Sequence, residues 1–264
     1  MPRFAANVGF LFPELAFLDR FGAAARAGFE AVECPFPYEV PAADLAQLLQ
    51  GCGLQQVLFN LPPGNWAAGE RGMAAVPGRE EEFAASVEQA LTYARALNCP
   101  RLHAMAGVLP AGAVAAECEA VYVRNLRRAA EILQPHGIHL LIEPINTRDM
   151  PGYFLTTAAQ AHRIIDQVGH ANLFLQMDLY HCQVMTGDLV GHIKAHWEVI
   201  DHFQIAGNPG RHEPDVGEIF YPYLFDLIDS LGYRGWIGCE YHPRRDTLAG
   251  LGWLRPYMAS LDTP

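Results

Sequence analysis

The sequence predicts one closed (β/α)8 barrel over residues 1–264. Short apolar runs alternate with longer amphipathic stretches, and the alternation repeats eight times. No linker, internal repeat or low-complexity segment divides the chain. Strands alternating with helices imply a parallel sheet. Eight units in 264 residues, 33 residues each, match the size of a sheet closed on itself. An open doubly wound sheet is the competing architecture, but no GxGxxG follows the first strand and no P-loop is present.

The elements are read in chain order. Residues 4–8 form a strand, and residues 14–27 a helix closed by Gly28. Residues 31–33 are a short strand, and 41–52 a helix closed by Gly53. Residues 55–60 are the third strand and 80–97 a strong helix. Residues 101–105 are the fourth strand, followed by a helix over 115–134 that Pro135 and Gly137 terminate. In the second half, strands cover residues 138–143, 173–178, 199–205 and 236–240. Their helices cover 156–168 with a Thr N-cap, 188–197, 221–231 closed by Gly232, and 247–261. The segment 61–78 (LPPGNWAAGERGMAAVPG) fits neither pattern. A loop of that length following a barrel strand lies at the catalytic face, and Trp66, Glu70 and Arg71 suit it to cover and bind a substrate.

Composition narrows the function. The chain is 51% hydrophobic and 18% charged, which suits a soluble globular protein with a large core. A net charge of -11 argues against nucleic acid and anionic membranes as partners. No apolar run is long enough to span a membrane, and the N-terminus carries no secretory signal, so a cytoplasmic location is expected. The six cysteines form no CxxC pair and read as reduced, mostly buried side chains. A homo-oligomer is left open.

The chemistry lies at the strand ends. A barrel strand delivers its last residues to the mouth, and four consecutive strands here end in polar groups: Glu143, Asp178, Gln204 and Glu240. Each follows an apolar run. Converging buried carboxylates require a cation or a shared proton. Three carboxylates with an amide oxygen suit Mg2+ or Mn2+ rather than a thiolate-type zinc site. His181, three residues after Asp178, is placed to bind a substrate oxygen. Arg211, in GNPGRHEPDVGE after the seventh strand, offers a fork for a substrate carboxylate. Glu33 at the end of the second strand and Glu213 beside Arg211 are weaker candidates. His192 and His196 are four apart but lack the glutamate of HExxH, and they read as surface residues.

Several segments carry a resemblance: FNLPPGNWAAGERGMAAVPGREEEF (59–83), LLIEPINTRDMPGYFLT (140–156), QMDLYHCQ (176–183), FQIAGNPGRHEPDVGEIFY (203–221) and WIGCEYHP (236–243). The chain resembles the hydroxypyruvate isomerase family, within the xylose-isomerase-like TIM barrels, from Arg3 to about Tyr257. The resemblance implies interconversion of hydroxypyruvate and 2-hydroxy-3-oxopropanoate (tartronate semialdehyde), in glyoxylate and carbohydrate metabolism. Its two catalytic glutamates fall on IEP and CEY, here Glu143 and Glu240. Metal-dependent relatives place ligands at positions matching Glu143, Asp178, Gln204 and Glu240. Wider relatives carry His where this chain has Gln204.

A 2-oxo-tetronate isomerase carries the same motifs, and a ketose 3-epimerase would use the same two glutamates on a longer substrate. A metal-dependent apurinic endonuclease would need metal histidines and a basic face, against which Gln204 and the net charge stand. A sugar-acid-binding protein without turnover is the non-enzymatic alternative.

Overall fold

The structure is a computed structural model that describes residues 1–257. Its strands are β1 (Arg3–Asn7), β2 (Ala31–Cys34), β3 (Gln55–Asn60), β4 (Arg101–His103), β5 (His139–Ile142), β6 (Leu173–Asp178), β7 (Ile200–Ile205) and β8 (Trp236–Cys239). They pair in chain order, and β8 closes on β1. All eight pairings are parallel. The expected closed barrel is what the chain forms.

The helices between the strands are α1 (Phe17–Arg26), α2 (Ala42–Cys52), α3 (Glu80–Leu97), α4 (Ala115–Leu133) and α5 (Ala158–Val168). They continue with α6 (Leu179–Met185), α7 (Leu189–Ala195), α8 (Tyr221–Ser230) and α9 (Thr247–Gly250). Helix α5 shows why the pattern was readable. Its buried residues Ala158, Ala161, Ile164, Ile165 and Val168 recur at helical spacing against the sheet. Its N-cap is Thr157 rather than Thr156. The Thr157 hydroxyl accepts from the Gln160 amide at 3.2 Å, and the Gln160 side chain accepts from the Thr156 N–H at 3.0 Å. These bonds satisfy backbone donors left over at the helix start.

Boundaries depart from expectation where the backbone is forced. Helix α1 begins at Phe17 rather than residue 14, because Phe12 is left-handed (φ 58°) and its N–H is taken by the Thr247 hydroxyl. Strand β4 stops at His103, and the chain beyond turns so that Ala106 bridges Gly72 of the long loop. Helix α6 starts directly from Asp178 and was not read from the sequence. After α9, a 3-10 segment over Leu251–Tyr257 carries Pro256. The expected helix over 247–261 is therefore short, and residues 258–261 lie outside the described residues. All six cysteines are free, and Cys34, Cys99, Cys118 and Cys239 are buried.

The barrel interior is polar on one side. Residues two apart on a strand share a face. Gln176 and Asp178 of β6, His202 and Gln204 of β7, and Gly238 of β8 with Glu240 just beyond it therefore stack in layers toward the mouth. Below the mouth, the buried Glu33 carboxylate accepts from Gln204 Nε2 at 2.7 Å, His202 Nε2 at 2.7 Å and Asn7 Nδ2 at 3.0 Å. Its bulk lies where β8 has no side chain: a Cβ on Gly238 would fall 2.3–2.5 Å from the three carboxylate atoms of Glu33.

Gly238→Ala is therefore expected to destabilise the fold by about 1–3 kcal/mol through overpacking. Gly51→Ala, in exposed α2 with nothing within 4 Å of the new methyl, should stabilise it by ~0.5–1 kcal/mol. Urea unfolding of both variants checks the contrast, and equal effects would mean that the Glu33 carboxylate moves freely.

Candidate active site

A cavity of about 490 Å³ opens at the carboxyl ends of the strands. Its walls include Phe10, Phe36, Trp66, Met105, Ile145 and Met150, and its polar lining is Asn60, Arg71, Glu143, Asp149, His181, Arg211 and Glu240. An apolar wall with a few convergent polar groups is the usual form of a small-molecule site.

Glu143 and Glu240 line this cavity, whereas Asp178 lies beside it outside the lining. Glu143 follows β5 directly, before Pro144, which has no N–H to extend the ladder. One of its oxygens lies 3.6 Å from His103 Nδ1. The other lies 3.8 Å from His181 Nε2 and has no hydrogen-bond partner. Asp178 caps α6: Oδ1 accepts from the N–H groups of Tyr180 at 2.8 Å and His181 at 3.3 Å, while Oδ2 is buried and without a hydrogen bond. Glu240 follows β8; its Oε2 is 2.7 Å from Arg211 Nη2, and its Oε1 accepts from Asn7 Nδ2 at 3.0 Å. Arg211 also lies 3.5 Å from Asp178 Oδ2 and stacks over Phe10 and Tyr180.

The electrostatics follow from the buried carboxylates of Glu143 and Asp178 and the nearly buried one of Glu240 around the Arg211 guanidinium. Burial, reinforced by Glu240 and Asp178, pushes the Glu143 carboxyl well above the usual carboxylate range. Burial also raises Asp178, outweighing Arg211 and two backbone N–H groups. Glu240 is pushed up to about 8 by burial, against the pull of Arg211. Burial works against the charge on Arg211, but Glu240, Asp178 and Glu143 more than offset it. His181 is held well below its ordinary range by burial and then by Arg211, and burial lowers His103 to about 3. Burial thus favours the neutral form of both histidines and the protonated form of the acids, and a cation would compete with those protons.

A cation fits. Atoms of Glu143, Asp178 and His181 lie within 4.8 Å of one another, and the two carboxylates each present a buried oxygen with no partner. Gln204, also expected as a ligand, lies beside Asp178 in the strand register, with its amide nitrogen donating to Glu33 at 2.7 Å and its oxygen accepting from Gln176 Nε2 at 2.6 Å.

Among the remaining predicted residues, Arg71 and Trp66 line the cavity, with the Arg71 guanidinium 3.9 Å over the indole ring. Glu70 does not line it. Its carboxylate binds Arg79 at 2.7 Å and the Asn65 N–H, so it braces the loop rather than facing a substrate. Glu213 is buried against Arg244 outside the cavity. His196 corrects the surface reading: it is buried and hydrogen-bonds His162 at 2.8 Å, with His192 stacked on it.

The sequence reading missed Asn7, Asn60 and His103, although each ends its strand just as Glu143 and Glu240 follow theirs. It also missed Asn146 and Asp149, just past Glu143. Asp149 takes hydrogen bonds from Asn146 at 3.0 Å and Tyr180 at 2.9 Å, which hold its carboxyl below the usual range despite burial.

Comparison with known proteins agrees with the fold. The model of the xylose isomerase-like TIM barrel family matches residues 21–257, and the chain belongs to that family. The 2-oxo-tetronate isomerase of Cupriavidus necator is 56% identical over 98% of this chain and 99% of its own. The hydroxypyruvate isomerase of Escherichia coli is 49% identical over 97% of this chain and 100% of its own. A crystal structure described as AP endonuclease, family 2, from Brucella melitensis superposes with a TM-score of 0.96 at 52% identity. It covers 98% of this chain and 100% of that one.

The raised acids set a pH dependence of stability. The folded chain binds more protons than the unfolded chain between the ordinary carboxylate range and about 8, the value for Glu240, so stability falls as pH rises through that window. His181 and His103 act in the opposite sense, but only below the ordinary histidine range of ~6.5. The melting temperature of the chelator-treated chain should therefore fall between about pH 6.5 and about pH 8.5. Millimolar Mn2+ should raise it more at the upper end, where fewer protons compete. A flat profile would mean that the acids are already ionised at neutral pH.

Proposed function

We propose that this barrel is a cytosolic isomerase that interconverts 2-oxo-3-hydroxy acids and 2-hydroxy-3-oxo acids, hydroxypyruvate and 2-hydroxy-3-oxopropanoate being the three-carbon pair. The carrying observation is that two glutamates whose carboxyls are pushed above the usual carboxylate range, Glu143 and Glu240, line one small cavity. Relatives at about half identity are isomerases named for acids of this kind.

The two glutamates supply a base and an acid. One carboxylate takes a proton from the hydroxyl-bearing carbon. The electron pair left behind forms a carbon–carbon double bond, and the former ketone oxygen takes up the charge and then the proton of the second hydroxyl, whose oxygen is left with the charge. The resulting enediolate collapses the other way: the second oxygen becomes a carbonyl, and the former ketone carbon receives a proton from a glutamate. Exchange of roles between the two carboxyls allows both directions. His181 and Arg211 present N–H groups to the substrate oxygens during charge build-up. A divalent cation, Mg2+ or Mn2+, held by Glu143 and Asp178, would add polarisation of the carbonyl oxygen.

Arg71 is the candidate partner for the substrate carboxylate. Arg211 is already paired with Glu240 and Asp178, whereas Arg71 donates only to the Trp66 and Glu70 carbonyls and has no carboxylate partner among the described residues. Residues 65–69 are exposed, while Gly72 is packed against Met105 and Met73, Ala74 and Ala75 are buried. The part of the long loop able to close is thus the stretch 65–71, carrying Trp66 and Arg71. Closure would exclude water from a reactive enediolate.

A four-carbon 2-oxo-tetronate is the second reading. A cavity of about 490 Å³ has room beyond a three-carbon acid, and the relative at 56% identity carries that substrate in its name. A turnover panel of hydroxypyruvate, 2-oxo-tetronate and a free ketohexose, each with and without chelator, tests both readings. Turnover of the ketose alone would replace them with an epimerase. Glu143→Gln and Glu240→Gln should each lose at least ~10²-fold in kcat with melting preserved. Product formed in deuterium oxide should carry carbon-bound deuterium. Near-normal Glu240→Gln turnover with no deuterium would point to a hydride shift. Arg71→Ala should raise KM on the order of 10-fold with a smaller change in kcat, as expected for loss of binding shared by ground and transition states.

A further inference from the structure

We propose that Asn146 fixes His181 as a ring protonated on Nε2 alone, so that His181 offers a hydrogen bond to a substrate oxygen and no lone pair to a cation. The substrate part rests on the isomerase reading; the tautomer does not. By proximity alone, His181 is the third member of the cation group, with Nε2 3.6 Å from Asp178 Oδ2 and 3.8 Å from Glu143 Oε1. A histidine that ligates through Nε2 must carry its proton on Nδ1 and give it to an acceptor. Here Nδ1 faces the Asn146 amide nitrogen, a donor, at 2.7 Å.

The orientation of that amide is fixed by its other partners. Asn146 Oδ1 accepts from the backbone N–H groups of Arg148 at 3.0 Å and Asp149 at 2.8 Å. Its Nδ2 also donates to the Asp149 carboxylate at 3.0 Å. A flipped amide would set an oxygen against that carboxylate and an NH2 group against two N–H donors, losing three bonds. Asn146 therefore donates, Nδ1 accepts, and the single ring proton sits on Nε2. That N–H points toward two carboxylate oxygens that have no hydrogen-bond partner, at distances too long for a good hydrogen bond. The gap suits an inserted substrate oxygen, which His181 would hold as a neutral donor. The cation is then left to carboxylate oxygens, a hard set that favours Mg2+ or Mn2+ over zinc. Asn146 acts through His181 and is a positioning residue.

Two-bond proton–nitrogen correlation spectra of the chelator-treated chain, labelled with nitrogen-15 histidine, read the tautomer directly, and His181→Gln identifies the signal. The expected result is an Nε2–H tautomer for His181 that persists on addition of Mg2+. In Asn146→Asp, a carboxylate facing Nδ1 should move the proton to Nδ1, lower kcat on the order of 10–100-fold and strengthen Zn2+ binding. An Nδ1–H or doubly protonated His181 ring in the unsubstituted chain would overturn the proposal even if Asn146→Asp fails to fold. So would an Asn146→Asp chain that keeps the Nε2–H form. The spectrum is independent of turnover: an Nε2–H ring in a chain inert toward hydroxy-keto acids would defeat the functional reading and leave the tautomer standing.

Discussion

Crowding buried Glu143 and Asp178 and the nearly buried Glu240 around the guanidinium of Arg211 is the constraint on which the rest of the site depends. An isolated ionised carboxylate is too costly to hold in a protein interior, so each excess charge must be neutralised by a proton, a cation or a dense set of donors. The chain uses the third route below the mouth, where Glu33 collects donors from Asn7, His202 and Gln204. Asn7 donates to Glu240 as well, which links the two layers. The glycine at 238 follows from the same arrangement, because any side chain there would meet the Glu33 carboxylate.

At the mouth the donors run out. Among the described residues, Glu143 Oε1 and Asp178 Oδ2 have no hydrogen-bond partner, and burial favours the neutral form of the nearby histidines. The remaining ways to balance charge are protons held by the acids themselves or a divalent cation. Both serve the proposed chemistry: a carboxyl that holds its proton near neutral pH can return it to carbon, and one that gives it up can act as base. The apolar wall of the cavity limits the screening of this surplus by bulk water.

The barrel was legible because its signals are local. Apolar residues at helical spacing in α5 and short apolar runs in β5 and β8 need no knowledge of distant contacts. The strand-end acids were legible for the same reason, and the rule would have reached Asn7, Asn60 and His103 had it been applied to the first four strands. What could not be read depends on partners far away in sequence. Gln204 resembles a ligand until Glu33, 171 residues distant, takes its amide nitrogen and Gln176 takes its oxygen. Glu70 resembles a substrate contact until Arg79 takes its carboxylate. His196 passes for a surface residue until α5 packs His162 against it. The short helix α6 was hidden because Asp178, read as the end of a strand, also caps it.

The most direct test of this account is the proton count on cation binding. Isothermal titration of the chelator-treated chain with Mn2+ near pH 7, in buffers of different ionisation enthalpy, measures protons displaced per cation bound. The account requires net proton release, falling as pH is raised past about 8, the value for Glu240. A heat independent of buffer would show that the three carboxylates are already ionised without a cation, and it would contradict the charge balance from which the site's chemistry is derived.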